Sequence, residues 1–393
     1  MQSALAVLFS FLFWSPQQIT SMPAQNVYRA GAEPACDNSR RGAIIVSLGG
    51  AGQPDMMKVC LKDGAGHFAW RANGQQNSNS FVQVRTIGGC PIFPDNNIWN
   101  TKIDSAFVAS SSAAIINTYA AAKVGTAPSM TVNLADAKTP MHSIAFDSTE
   151  NDGGKYPVTQ DMSLEGYDGK SKFTISGGPY NSDAHLIVLR TDECKLYEIF
   201  FFKTTTPPYR GGSGAIYDLT SNHMRPDGWT SADAAGLPIW PGVLTYDELY
   251  GAQEIRHMVR FTVDRTRNQF VWPARHYASR RAEPALPPMG SRWRLKASFD
   301  GQTCRENENS GKAFPPEMQR LVRALKGYGM ILADNGLAIK ITTDADHRWG
   351  NPASETSPNW IINGWTHCIT GRDFEVVDAA PLMMDLNSAA AAK

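Results

Sequence analysis

Three groups of residues in this 393-residue chain combine types and spacings that can do chemistry. The first is a hairpin, Asp183-Ala-His-Leu-Ile-Val-Leu-Arg, a turn over residues 191–194, then Lys195-Leu-Tyr-Glu-Ile-Phe-Phe-Phe. If Leu189 pairs with Leu196, then Ile187 faces Glu198 and His185 faces Phe200. His185 and Glu198 then lie diagonally on one face, with Asp183 beside them. A histidine between carboxylates can transfer protons or join a metal site, and it fits a hydrogen-bonded polar cluster at a sheet edge equally well.

The second group runs from Pro226: PDGWTSADAAGLPIWPGVLTYDEL. Trp229, Trp240 and Tyr246 are rigid platforms of the kind that stack on sugar rings, and Asp233, Asp247 and Glu248 are carboxylates in a turn-rich segment. Glycoside cleavage needs that combination, one acid to protonate the leaving oxygen and one base to activate water or attack carbon. The alternative for Asp233 is to cap a short helical turn over residues 232–235. Glu165, an isolated acid before a turn, is a candidate partner carboxylate. Asp334, in the turn signature Asp-Asn-Gly, is a candidate pocket-lining residue.

The third group is the strand pattern of residues 254–263, returning through 264–268 into 269–276. Ile255, His257, Val259 and Phe261 share a face, so His257 either is a satisfied core histidine or acts with His276 on the return strand. Pro273 can bulge that strand and bring His276 round. Two histidines with Arg256, Arg260 and Arg275 nearby could bind a uronate carboxylate and abstract its α-proton, the chemistry of a polysaccharide lyase. Gly211-Gly-Ser-Gly214 lacks the Lys-Ser/Thr of a phosphate loop and reads as a β-turn. No GxSxG or HExxH occurs, and no cysteine has zinc spacing, so serine-hydrolase, zincin and structural-zinc readings drop out. No cofactor and no metal is expected.

The elements that must position these residues read as strands. Thirty-three Gly and 24 Pro punctuate a chain rich in Thr, Tyr, Trp and Phe, which suits strands joined by turns better than a helical bundle. The expectation is a mainly β protein, α+β at the margins. It has an antiparallel β-sandwich or barrel with two or three helices and an N-terminal β-hairpin module. Residues 105–123 are Ala-rich and predict a helix with Ser105 as N-cap. A second helix follows Pro315 and Pro316, with Met318, Leu321, Val322 and Leu325 at helical spacing before Gly327 and Gly329.

Boundaries follow from composition. Residues 1–24 contain an apolar run, 4–14, too short to span a bilayer, and small residues near 21–24, as in a signal peptide. Residues 25–85 form the hairpin module and a polar linker at 73–80, residues 86–380 the β-rich main domain, and residues 381–393 a disordered tail. Six cysteines, an even number, fit disulfides in an oxidising compartment. Cys36 and Cys60 flank the hairpin and form the local pair; Cys90 with Cys194 and Cys304 with Cys368 would complete the set. With 37 basic and 37 acidic side chains the chain has no net charge, so nothing draws it to nucleic acid, and no mature segment is apolar enough to be an integral membrane span.

From Cys90 to about Asp378 the chain resembles a family of secreted bacterial proteins. The strings that carry the resemblance are CPIFP at Cys90, CKLYE at Cys194 and GSGAIYDL at Gly212, then RPDGWTSADAAGLPIWPG at Arg225, WPARH at Trp272, PPMG at Pro287 and YGMILADNG at Tyr328. The resemblance implies a secreted or periplasmic bacterial protein and transfers no catalytic assignment. Together the residues lead to the expectation of a carbohydrate-active enzyme, a glycoside hydrolase acting on a polysaccharide. Asp233 and Glu165 are its acid/base candidates, His185, His257 and His276 its orienting or proton-transfer groups, and Trp229, Trp240, Tyr246, Arg260, Arg275 and Asp334 its substrate-binding residues. A polysaccharide lyase with a histidine base and a non-catalytic glycan-binding adhesion protein are the alternatives.

Overall fold

The computed structural model describes residues 27–29, 32–40, 43–48, 56–62, 68–72, 85–167, 172–177 and 183–392. The expected signal peptide and the linker at 73–80 lie outside the described residues. The chain divides into two compact units, Met1–Gln83 and Val84–Lys393.

In the first unit, β1 (Val27–Arg29), β2 (Ile44–Leu48), β3 (Met56–Lys62) and β4 (Phe68–Ala72) form one sheet in that order. β1 runs parallel to β2, and the other pairs are antiparallel. The expected hairpin is thus the centre of a four-stranded sheet. A disulfide joins Cys36 to Cys60. Glu33 adds a polar clamp, accepting from Ser47 Oγ and from Lys58 Nζ, each at 2.6 Å.

The second unit contains, in chain order, α1 (Ser112–Tyr119), β5 (Gly125–Met130), β6 (Val132–Ala135), β7 (Met141–Phe146), β8 (Lys155–Pro157), β9 (Ser163–Tyr167), β10 (Lys172–Thr174), β11 (Leu186–Arg190), β12 (Lys195–Phe200), β13 (Tyr209–Gly211), β14 (Ser213–Asp218), α2 (Tyr246–Tyr250), β15 (Val259–Val263), β16 (Arg292–Leu295), α3 (Pro316–Gly327), β17 (Met330–Asn335), β18 (Lys340–Asp344), α4 (Pro358–Thr366) and β19 (Phe374–Val377). Its largest sheet has six strands in the order β19-β16-β17-β15-β18-β5; a second has four, β14-β12-β11-β6; a third has three, β8-β7-β13. The protein is mainly β, as expected. The sheets are not purely antiparallel, because β15/β17, β18/β5, β11/β6 and β13/β7 pair in parallel. None of the described sheets closes into a barrel.

The hairpin β11/β12 has the expected register, with Leu189 opposite Leu196 and Ile187 opposite Glu198. Its run Leu186-Ile-Val-Leu189 is buried throughout, because the sheet packs on both faces. Ile187 and Leu189 enter the large core, while Leu186 and Val188 enter a smaller one with Tyr156, Tyr197 and Tyr209. Period-two alternation therefore feeds two cores from one strand. Glu198, opposite Ile187, is carried inside.

Helix α3 forms where expected, burying Met318, Leu321, Val322 and Leu325. Beyond it Gly329 adopts φ +66°, and a Cβ there would stand 2.4 Å from the Trp293 carbonyl oxygen, so only glycine turns the chain into β17. The Ala-rich helix is shorter than expected. Val108 bridges Val377, and the Ala109 N–H donates to Val376 O at 2.9 Å, while Val124 N–H donates to Ile369 O. Both flanks are captured by neighbouring backbone, a strand on one side and the segment around Ile369 on the other, which outweighs the helix preference of alanine. The tail does not fray. Ser388, Ala390 and Ala391 bridge His223, Asn97 and Met383, and Ala389 and Ala391 are buried, since methyl-sized side chains let backbones approach closely. Among the described residues no helix is long and apolar enough to cross a membrane.

Disulfides join Cys90 to Cys194 and Cys304 to Cys368, closing sequence separations of 104 and 64 residues, so all three expected pairs form. Replacing Cys90 and Cys194 together by serine is expected to lower stability by about 2–5 kcal/mol, because the unfolded chain regains the freedom of a long loop. Urea unfolding of the purified protein checks this, and an unchanged midpoint would contradict it.

Candidate functional site

Strand β15 presents Arg260, and its parallel neighbour β17 carries Asp334 one residue before its end. Pairing is regular to Phe261 opposite Leu332 and then shifts, so that Thr262 faces Asp334. The extra residue, Ala333, is a bulge that swings Asp334 onto the face occupied by Arg260. The Ala333 carbonyl accepts from Ala235 N–H at 2.9 Å. That bond fastens the loop carrying Asp233 to the same strand end.

Asp233 is buried and spends both oxygens on Arg260: Nε donates to Oδ2 and Nη2 to Oδ1, each at 2.7 Å. It does not cap the turn at 232–235. The loop is held by Ser231 instead, whose Oγ accepts from Asp233 N–H at 2.8 Å and donates to Leu237 O at 2.6 Å. Arg260 Nη1 donates to Thr342 Oγ1 on β18. Gly242 lies against this arginine, and a Cβ there would fall 2.6 Å from Arg260 Cβ. The fork geometry of the guanidinium suits this two-bond pairing, for which lysine has no equivalent.

Asp334 Oδ2 lies 3.8 Å from Arg260 Nη2, and its side chain is 28% exposed. Withdrawal from bulk water, with the Asp233 carboxylate beside it, pushes Asp334 up to about 8, outweighing Arg260. It is therefore protonated at neutral pH and shares a hydrogen bond with Asp233. Two carboxylates and one guanidinium hold a single proton between them.

A second pair adjoins the first. His185 Nδ1 is 2.6 Å from Glu165 Oε2 and Nε2 is 2.9 Å from Ala232 O. With an acceptor at each nitrogen, the imidazolium donates twice. Burial opposes this charge, but Glu165 raises His185 to about 9. Burial likewise opposes ionisation of Glu165, and His185 and Arg260 together hold it below the ordinary range. Glu198 accepts from Ile239 N–H at 2.8 Å and Trp240 N–H at 2.9 Å. Burial raises it to about 7 against those two bonds, with Asp233 adding to the rise.

Of the expected site residues, Asp233, Glu165, His185, Arg260 and Asp334 come together. The others do not. His257 is buried, its Nδ1 bonded to Met258 O at 2.8 Å and its Nε2 3.1 Å from Glu248 Oε1. Glu248 also binds Arg85 Nε at 2.7 Å and caps α2 with Thr245. Burial opposes its charge, yet Arg85 and His257 hold Glu248 at about 2. His257 is thus a core histidine satisfying a capping acid. Residues 269–276 form no ladder with β15, whose partners are β17 and β18, so His276 is not brought to His257. Instead His276 Nδ1 bonds Ala234 O at 2.8 Å, clamping the Asp233 loop from its other end.

Arg275 is tied down by Arg225 O, Leu386 O and Asn387 Oδ1 and holds the C-terminal segment. Trp240 is buried, so it offers no ring to a sugar; its backbone N–H serves Glu198 instead. Tyr246 stacks on Tyr250 with ring centroids 4.6 Å apart, under Arg348. Trp229 is half-buried beside Arg225. The sequence reading left out Thr342, an Arg260 partner, and named Glu198 only as a hairpin acid. The alternation of β18 could have flagged Thr342 as inward-facing. Among the described residues no group of three or more His, Cys, Asp or Glu is arranged to hold a metal ion.

Comparison with known protein families, with curated proteins and with solved structures finds no match for this chain. The site therefore rests on its own geometry.

Two outcomes follow from the charge arrangement. The groups raised on folding, Glu198 to about 7, Asp334 to about 8 and His185 to about 9, bind more protons in the folded than in the unfolded chain. The stability they contribute is lost as pH rises through those values. The thermal midpoint should fall between about pH 6.5 and 9.5, less steeply in Asp334→Asn, and a flat midpoint in calorimetry would contradict the assignment. Asp233→Asn leaves Arg260 buried without its counter-charge and should cost about 3–5 kcal/mol in urea unfolding.

Proposed function

We propose that this protein is an exported carbohydrate-active enzyme that hydrolyses a glycosidic bond of a polysaccharide. One observation carries the reading: a protonated acid, Asp334, and an ionised acid, Glu165, both act on the same arginine, and both side chains retain solvent contact, 28% and 15%. Glycoside hydrolysis requires one carboxyl that gives a proton and one that attacks or activates water. In this reading Asp334 protonates the leaving oxygen, and Glu165, oriented by His185, is the nucleophile or base.

Asp233, expected as one of the two acid/base candidates, becomes a positioning residue. Its two oxygens are committed to Arg260, and its negative charge helps keep the proton on Asp334. Arg260 lies between the acids and can balance the charge left on Asp334 once it gives up its proton. Export is supported by the three disulfides and by the apolar run at 4–14. Elimination by a histidine base has less support, because His257 is buried against Glu248 and Arg275 is tied to backbone.

A polysaccharide panel, read for new reducing ends and for the ultraviolet absorbance of an unsaturated uronate, tests the reading. Reducing ends without that absorbance are expected, with kcat falling about a hundred- to ten-thousand-fold in Asp334→Asn and in Glu165→Gln. Absorbance instead would mean lyase chemistry. Silence in both channels with glycan retained in a pull-down would mean binding alone.

A further inference from the structure

A cavity of about 140 Å³ lies apart from the acidic cluster, with Ser111, Arg267, Trp272, Ser291, Arg292 and Val376 among the residues lining it. Arg292, on β16, is 1% exposed. Its Nη2 donates to Tyr328 O at 2.8 Å, but Nε and Nη1 have no partner, nor has the buried Nε of Arg267. Burial is the sole influence on either arginine, lowering Arg267 and bringing Arg292 down to about 9; no carboxylate offsets it. Asp378 borders the cavity but is exposed, and its Oδ1 accepts from Ala380 N–H at 3.0 Å.

A buried guanidinium with unused donors is costly, and in a finished site an acceptor completes it. We propose that this cavity binds a small organic carboxylate, with the Arg292 and Arg267 guanidinium groups of its wall as the counter-charge. The rest of the wall sets the class. Ala109, Ile115, Val271 and Val376 are apolar, and Trp272 is held in place by its Nε1 bond to Ser388 O at 3.0 Å. Such a wall suits the carbon body of an acid, whereas inorganic phosphate would leave it unfilled. Free organic acids and carboxylated sugars share this chemistry. The site is separate from Asp334 and Glu165, so it does not depend on the hydrolase reading.

Titration calorimetry of the whole oxidised chain with acetate, glucuronate, glucose and phosphate tests it. Acetate or glucuronate should bind one to one and glucose should not, with affinity falling at least about tenfold in Arg292→Gln and in Arg267→Gln. Binding of acetate as well as glucuronate points to free acids, and of glucuronate alone to a carboxylated sugar. If Arg292→Gln does not fold, the half-buried Arg267→Gln carries the comparison. No heat with either carboxylate, binding of phosphate alone, or unchanged affinity in the variants would overturn the proposal.

Discussion

The interaction on which the rest of the site depends is the two-bond pair between Asp233 and Arg260, closed to solvent on every side. Removing both charges from water is expensive, and such a pair is tolerated only where geometry is good and remaining donors are used. Here the fork is filled on one edge by Asp233 and the last nitrogen by Thr342. The pair therefore joins three separate pieces of chain: the loop at 231–237, strand β15 and strand β18. Its constraint is conformational as much as energetic, because the loop must keep one shape for the carboxylate to meet the guanidinium. Backbone bonds from Ala235 to Ala333, and ring bonds from His185 to Ala232 and His276 to Ala234, hold that shape.

Protonation states elsewhere follow from that pair. Asp233 spends both oxygens on Arg260, and burial together with Asp233 beside it pushes Asp334 up, so that Asp334 keeps its proton. Against burial, His185 with help from Arg260 keeps Glu165 ionised, and Glu165 in turn keeps His185 protonated. Four acids in one neighbourhood thus take different charge states, set by which cation or backbone donor each one meets. Glu198 is raised by burial to about 7 against two backbone N–H groups and the nearby His185.

The sheets account for why so much charge can be carried inside. The four-stranded sheet is covered on both faces, and the buried hydrocarbon on either side offsets the cost of Glu198 and His185. The disulfide from Cys90 to Cys194 anchors the turn of the β11/β12 hairpin, which keeps the strands bearing those residues in register. Arg292 has no counter-charge from the chain and lines a cavity instead.

Local features were legible in the residues themselves. The β11/β12 register, helix α3, the mainly β class and the Cys36–Cys60 pair follow from alternation, helical spacing, turn residues and pairing within short reach, which depend on neighbours along the chain. Asp233, Glu165, His185, Arg260 and Asp334 could be singled out because charged residues in apolar or turn-rich strings are conspicuous. Their roles could not be assigned that way. Whether Asp233 or Asp334 keeps the proton depends on a bulge at Ala333 and on which carboxylate reaches Arg260 first. That His257 serves Glu248, that Trp240 is buried and that the C-terminal alanines are pinned all depend on segments remote in sequence. Residue type and period alone determined the β11/β12 hairpin, helix α3 and the candidate charges. Tertiary packing decided which charges meet, because pKa and pairing depend on distance in space and on the water excluded around it.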